Sequence, residues 1–381
     1  MARKLKSDKT LFIATILLVG LSVVMVYSAS APIALQKYGR SSMFLVRQGM
    51  WTMLGLSMLY VVMRIDYRHY REPAFIWTCL ALVVLALVAV LFSAPVNGAR
   101  RWFGVGGTGV QPSELAKLAA VFFIAAILER RMHRIDEIGY ALLPVAIVVL
   151  GLVGLILAEP DFGTSMSLLL IAAVMVCAAG LNYRYIVGVA LVSLPAIYLI
   201  VMGSAYRRRR TLAFLNPWDD PLGDGFQIIQ SMIAVGTGGL WGRGLMNGVQ
   251  KLFYLPEPHT DFIYAVISEE LGLIGATAVL LCFAIVAWRG LRVALLAPDA
   301  FGAFLALGLT TMVAIQALVN ISVVLGLMPT KGIPLPFVSA GGSSLVINLV
   351  GMGILLNVSQ HAGSGSSAQL ARVDAGSSSG T

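Results

Sequence analysis

Between Leu11 and Val358 the chain returns repeatedly to apolar runs close to the 20 or so residues that a helix needs to cross a bilayer. The runs fall at Leu11–Ser30, Phe44–Met63, Phe75–Ser93, Glu114–Leu128, Tyr140–Ala158, Gly163–Leu181, Tyr185–Met202, Phe262–Ala287, Phe301–Leu325 and Gly341–Val358, each ended by charge, Pro or Gly. Membrane strands alternate and leave weaker runs, so the pattern predicts an all-α polytopic membrane protein with ten transmembrane helices. A hydrophobic share of 58%, only 12% charged residues and a mean hydropathy of +0.86 exclude a soluble domain. The first run is too long for a signal peptide and lacks a small-residue cleavage site, so it is read as a retained span.

Short loops rich in Lys and Arg stay on the cytoplasmic side. With the amino terminus inside, the inner segments hold most of them, among them Arg3, Lys4, Arg64, Arg130, Arg131 and Arg289. The short outer loops hold only Lys37, Arg40, Arg47, Arg100, Arg101 and Lys331. Both termini are therefore expected in the cytoplasm, with the long segment 203–261 between helices 7 and 8 forming a large extracytoplasmic loop. The chain divides into a cytoplasmic tail over 1–10, a membrane domain over 11–358, and a second cytoplasmic tail over 359–381, too rich in Ser, Gly and Ala to order itself. A formal charge of +9 is scattered among membrane loops and forms no continuous basic face, which argues for anionic membrane lipids and against nucleic acid. Cys79, Cys177 and Cys282 all lie in predicted spans and have no metal-ligand spacing, so they read as packing residues.

The long loop carries Trp218, Phe226, Trp241, Phe253 and Tyr254, too many aromatics for disorder. Its segment Phe226–Val235 reads as a short interfacial or re-entrant helix. Arg207 to Arg210 open it on the side where positive charge is least expected; they meet either lipid headgroups or a phosphate-bearing ligand. At its far end stands "LPEPHTDFIYAVISEELG", with Glu257, His259, Asp261, Glu269 and Glu270 running into a span. Asp261, at the membrane junction, is either a helix cap or a carboxylate of raised pKa able to act as a base. Glu269 lies about 12 Å deeper and needs a partner or a water-filled cavity, while Glu270 points about 100° away, so the two are not expected to serve one site.

In "NGARRWFGVGGTGVQPSELAKL", Glu114 and Lys117 share a helix face at i, i+3; they either neutralise each other or line a cavity that opens outward. Trp102 is an interfacial anchor or a sugar platform. Two Pro and Gly clusters, "EPDFGTS" and "MPTKGIPLPFVSAGGSS", complete the outer surface; irregular backbone there must line a cavity or be buried in protein. No phosphate loop, dinucleotide fingerprint or paired-His metal motif occurs, so an activated group has to arrive with the substrate.

These motifs, in this order over nearly the whole chain, resemble the SEDS family of bacterial shape, elongation, division and sporulation proteins, its division members most of all; one departure is Ala340, where many relatives have an aromatic residue. The resemblance implies a ten-helix fold and a peptidoglycan glycosyltransferase, polymerising lipid II at the outer face of the cytoplasmic membrane, at the division septum. The family's essential Asp falls on Asp261, its cavity Glu and Lys on Glu114 and Lys117, and its Trp on Trp102. A class B penicillin-binding protein, the transpeptidase, is the implied partner, alongside other divisome proteins and the undecaprenyl-pyrophosphate-linked glycan. As chemistry, Asp261 would take the proton of the acceptor hydroxyl. Lys117, Arg207 and Arg210, or a divalent cation such as Mg or Mn, would meet the developing charge in place of a second carboxylic acid. Glu257, His259 and Ser339 are candidates for substrate binding and loop support, His259 being the alternative base. The competing function is a lipid II flippase, which needs binding groups reachable from both sides.

Overall fold

The computed structural model describes residues 7–94, 100–104, 109–182, 205–223, 225–330 and 332–362, with scattered positions between 184 and 203. Its helices are α1 (Lys9–Tyr38), α2 (Met43–Val62), α3 (Pro73–Val90), α4 (Pro112–Arg131), α5 (Leu143–Ala158), α6 (Phe162–Ala178), α7 (Ala205–Leu215), α8 (Phe226–Gly238), α9 (Ile263–Leu295), α10 (Ala300–Val324) and α11 (Gly342–His361). Six helices among the described residues are long and apolar enough to span a membrane, at Lys9–Tyr38, Pro73–Val90, Gly139–Ala158, Ile263–Leu295, Ala300–Val324 and Gly342–His361. Helices are the natural outcome, because in hydrocarbon every backbone N–H and C=O has to find its partner within its own segment. Most of the seventh predicted span and the tail beyond 362 lie outside the described residues.

α4, α10 and α11 form the centre and are buried on nearly every face, as helices apolar all round should be. The outer helices turn residues such as Leu17, Met53, Leu82 and Ile147 toward lipid. Cys177 is exposed there too, so it is not the packing residue expected. α2 meets α11 along glycines. A Cβ on Gly55 would lie 2.5 Å from Leu349, one on Gly342 2.3 Å from Trp51, and one on Gly353 2.8 Å from the Leu59 carbonyl. Small residues of this kind let membrane helices approach closely.

One end of the bundle is tied by charge. Asp8 pairs with Arg289 at 2.5 Å, Asn357 Oδ1 accepts from the Tyr67 amide at 2.9 Å, Tyr67 donates to Asp299, and Arg71 meets Glu129 at 3.0 Å. These contacts gather the start of α1 and α10 with the end of α2, α4, α9 and α11. The Asn182 amide donates to Asp136 just beyond α4, at 3.1 Å, so the chain also leaves α6 at this end. α9 begins at the opposite end, so Asn182 and Ile263 lie at opposite ends of the bundle.

α9 breaks inside its length at Gly272, where φ is 66°. The glycine-rich stretch after α8 plugs the break: Arg243 and Gly244 amides donate to the Glu269 and Glu270 carbonyls at 3.0 Å each, while Leu273 donates back to Gly239 at 2.9 Å. Contact is so close that a Cβ on Gly242 would sit 2.1 Å from the Glu270 carbonyl. The two carboxylates, expected to part company, hold this same segment from two sides. Glu269 accepts from the Val249 amide at 2.8 Å; Glu270 accepts from the Met246 amide at 3.1 Å, from Lys251 Nζ at 2.6 Å and from Ser28 of α1 at 2.7 Å. The 100° between them is spanned by a loop that wraps the helix.

Removing one partner of a buried ion pair leaves the other uncompensated. Lys251→Met should cost about 3 kcal/mol or more and lower the unfolding temperature in detergent, and adding Glu270→Leu should recover part of that loss. An unchanged melting temperature in the single variant would mean that the pair does not hold the loop.

Candidate active site

Asp261 sits where the loop enters α9, and its backbone is held residue by residue. The His259 carbonyl accepts from the Ala340 amide at 2.9 Å, the Thr260 carbonyl from Ser339 Oγ at 2.6 Å, and the Asp261 carbonyl from Asn320 Nδ2 at 2.8 Å. Asn320 Nδ2 also donates to the Ile333 carbonyl at 2.7 Å, so one side chain of α10 clasps both loops. A Cβ on Gly332 would lie 3.1 Å from Asp261 Oδ2, which shows how near the second loop runs to the carboxylate.

Asp261 is half-buried, and protein crowds its carboxyl. Burial pushes its pKa up to about 7; the charge of Glu257, and then of Asp161, adds to the rise, and Arg101 opposes it. His259 goes the other way. Burial lowers its pKa, the Arg47 charge does the same and Glu257 partly offsets both; its ring lies 4.8 Å from that of Phe44. Glu257 is exposed with a φ of 50°, and its carbonyl accepts from the Thr260 amide at 3.2 Å in the turn that presents Asp261.

Glu114 and Lys117 come together at 2.8 Å with side-chain exposures of only 3% and 2%. Lys117 also donates to Gln316 at 3.1 Å, Gln316 donates to the Pro334 carbonyl at 3.3 Å, and Ser344 donates to Glu114 at 3.1 Å. The pair is closed, and it ties the Pro334 loop to α4. Ser339 is likewise buried: its hydroxyl donates to Thr260 and accepts from the Leu335 amide at 2.8 Å, so it serves the backbone. Trp102 is half-buried on a hairpin closed by the Phe103 and Val110 bridge, away from full solvent contact. The arginine run lies in α7, and the side chains of Arg207 and Arg210 are outside the described residues.

Several residues at this end escaped the sequence reading. Asp161 caps α6, accepting from the Thr164 amide at 3.0 Å, from Thr164 Oγ1 at 2.8 Å and from Gln111 Nε2 at 2.8 Å. Glu159, two residues earlier, is fully buried, and neither of its oxygens has a hydrogen-bond partner. Arg101 has a buried Nε without a partner and no ion pair with any described residue. The signal available was "EPD" at a reversal between two apolar runs, two acids in a chain only 12% charged. Among the described residues no group of three or more His, Cys, Asp or Glu side chains is placed to hold a metal.

The family profile described as "Cell cycle protein", covering FtsW, RodA and SpoVE, matches residues 9–364. The chain belongs to this family. It is 46% identical over 354 residues to the probable peptidoglycan glycosyltransferase FtsW of Geobacter metallireducens, covering 92% of this chain and 94% of that one. It is also 43% identical over 364 residues to stage V sporulation protein E of Bacillus subtilis, covering 94% and 98%. Among solved structures, a chain from work on the structural coordination of polymerization and crosslinking by a peptidoglycan synthase complex superposes with a TM-score of 0.76 at 32% identity, covering 94% of this chain and 99% of that one. The rod shape determining protein RodA of Thermus thermophilus follows at 0.69 and 29%, covering 93% and 97%.

A carboxyl with a pKa near 7 is protonated below that pH. Infrared difference spectra should show a protonated-carboxyl band that grows as pH falls through about 7 and is missing from Asp261→Asn. If the band is absent, or is kept by the variant, the raised value does not belong to Asp261.

Proposed function

We propose that this family member is a peptidoglycan glycosyltransferase that polymerises lipid II, with Asp261 as the general base. The observation that carries the reading is the clasp on Asp261: three successive carbonyls fixed by Ala340, Ser339 and Asn320 around a carboxyl whose pKa is pushed up to about 7. A base poised near the working pH combines ionisation with proton affinity. Asp261 takes the proton of the acceptor's C4 hydroxyl as that oxygen attacks the anomeric carbon of the lipid-linked strand, with inversion from an α-linked pyrophosphate to a β-linked glycan. His259 is the weaker base of the two, its pKa lowered and its ring packed on Phe44.

Glu114, Lys117 and Ser339 support the loops facing Asp261; Glu257 shapes the turn that presents it. Trp102 remains the candidate sugar platform at the rim, and Arg207 and Arg210 the candidates for an anionic headgroup or phosphate. Carboxylate oxygens suit a hard divalent cation, but the described residues do not assemble a preformed site for one, and no step is assigned to it.

The protein is a multi-pass protein of the bacterial cytoplasmic membrane. We place ten spans over 11–358, both termini in the cytoplasm and the long loop outside; the Lys and Arg distribution and the passage from the α6 exit to the opposite α9 entrance support this. The chemistry then gathers at the outer membrane edge. A class B penicillin-binding protein is the proposed partner and the septum the proposed site of action, with other divisome proteins around it. A flippase would need groups reachable from both ends, whereas Glu114 and Lys117 are sealed and the uncommitted acids stand at one end.

Glycan-chain formation from purified lipid II, with the penicillin-binding partner present, should be lost by a factor of about 100 or more in Asp261→Asn without loss of folding. In the wild type kcat/KM should rise as pH increases through about 7, because the base works only when ionised. Polymer at the wild-type rate from Asp261→Asn would remove it from the mechanism.

A further inference from the structure

Among the described residues, Glu159 is a fully buried carboxyl whose oxygens the fold leaves without a partner. It lies at the turn between α5 and α6, with 0% exposure, and both oxygens lack a hydrogen-bond partner. Its neighbour Asp161 is fully committed to Thr164 and Gln111. Arg101, whose charge acts on Glu159, has a buried Nε–H with no acceptor and forms no ion pair with any described residue. An acid and a guanidinium within electrostatic reach of each other commonly form an ion pair. Among the described residues these two form none, so the hydrogen-bonding capacity of both is left to a group the chain itself does not supply.

We propose that Glu159 and Arg101 form the leaving-group site: Arg101 holds the pyrophosphate of the lipid-linked donor, and Glu159, in its protonated form, gives its proton to the departing phosphate oxygen. The proposal rests on the glycosyltransferase reading. Burial, followed by the charge of Asp161 and opposed by Arg101, pushes the Glu159 pKa up to about 8, so the carboxyl carries its proton at neutral pH. Those two are the charged groups acting on it among the described residues, and both also act on Asp261. Asp261 and Glu159 come from different turns, and the charges of Arg101 and Asp161 act on both; an inverting displacement needs its base and its leaving group on opposite faces of the sugar.

The step balances. The acceptor O–H proton passes to Asp261 as the new O–C1 bond forms. The C1–O bond to phosphate breaks with its electron pair on the phosphate oxygen, which takes the Glu159 proton. One proton moving from Asp261 to Glu159 through water resets the site. A neutral acid also receives an anionic ligand without repulsion, which an ionised one would not. The sequence reading assigned this charge to cations alone; the structure supplies an acid as well.

Two measurements test it. First, detergent-solubilised protein is titrated with undecaprenyl pyrophosphate at several pH values. Wild-type affinity should drop about fivefold between pH 8 and 9 beyond any change seen in Glu159→Gln, since binding selects the protonated acid; identical pH dependence in the two proteins overturns the proposal. Second, lipid II polymerisation by Glu159→Gln should show kcat down by about 100-fold with KM little changed, and the fall in rate above pH 8 should disappear. Glu159→Gln working at the wild-type rate, while Asp261→Asn is dead, overturns the acid and leaves the base standing. Should the wild type itself make no polymer, the glycosyltransferase reading fails and the binding titration still decides on Glu159. Glu159→Ala, checked for its melting temperature, should match Glu159→Gln in rate if the proton is what matters; full activity in the alanine variant counts against it.

Discussion

Irregular backbone near the edge of a hydrocarbon layer survives only if every amide finds a partner, and here Glu269 and Glu270 provide them. Their carboxylates and carbonyls take the amides of Arg243, Gly244, Met246 and Val249, while Lys251 neutralises Glu270 against Ser28 of α1. The break at Gly272 is thereby sealed, and the chain that follows Lys251 starts from a fixed point. Everything from Leu255 to Phe262 is presented from that anchor. Intramembrane acids usually suggest a transport path or a reacting group. These two serve as masonry for a loop, and the proposed base, Asp261, stands eight residues before Glu269, at the margin.

Three carboxyls at that margin differ through their partners. Asp161 receives hydrogen bonds from an amide, a hydroxyl and a side-chain amide, and spends its capacity as a helix cap. Asp261 is half-buried with its backbone fixed, its carboxyl crowded enough to hold its proton up to about pH 7. Glu159 has neither solvent nor partner. Identical chemistry is sorted into a scaffold, a proposed base and a proposed acid by what each group is given to touch.

The apolar helices were legible because an apolar run of fixed length has few alternatives in a bilayer, and six of those described are long and apolar enough to span one. Their ends were less so: α9 runs on from Ala287 to Leu295, and α1 continues beyond Ser30 to Tyr38, past Pro32, until Gly39 ends it in a left-handed cap. Asp261 was legible as a charge at a junction. What could not be read is everything that depends on distant pairing. Ser28 and Lys251 meet across 223 residues, and Asn320, a lone amide in an apolar run, gives no local sign that it clasps two loops. Gly272 interrupts nothing in the hydrophobic pattern, so its break was invisible. Spacing paired Glu114 with Lys117 correctly, yet only packing shows that the pair faces inward, and that Ser339 spends its hydroxyl on backbone.

The glycine seam between α2 and α11 sets the gap between two walls of the site, since α2 carries Phe44 against His259 and α11 carries Ser344 against Glu114. A methyl group at Gly55, Gly342 or Gly353 would have to push two helices apart. The freedom of this protein to drift in sequence is thus very uneven. Lipid-facing positions such as Leu17 or Ile147 can exchange one aliphatic residue for another almost without limit. Three positions that hold no charge and offer no side chain are confined to the smallest residue, and a change there would be felt first as a misplaced site.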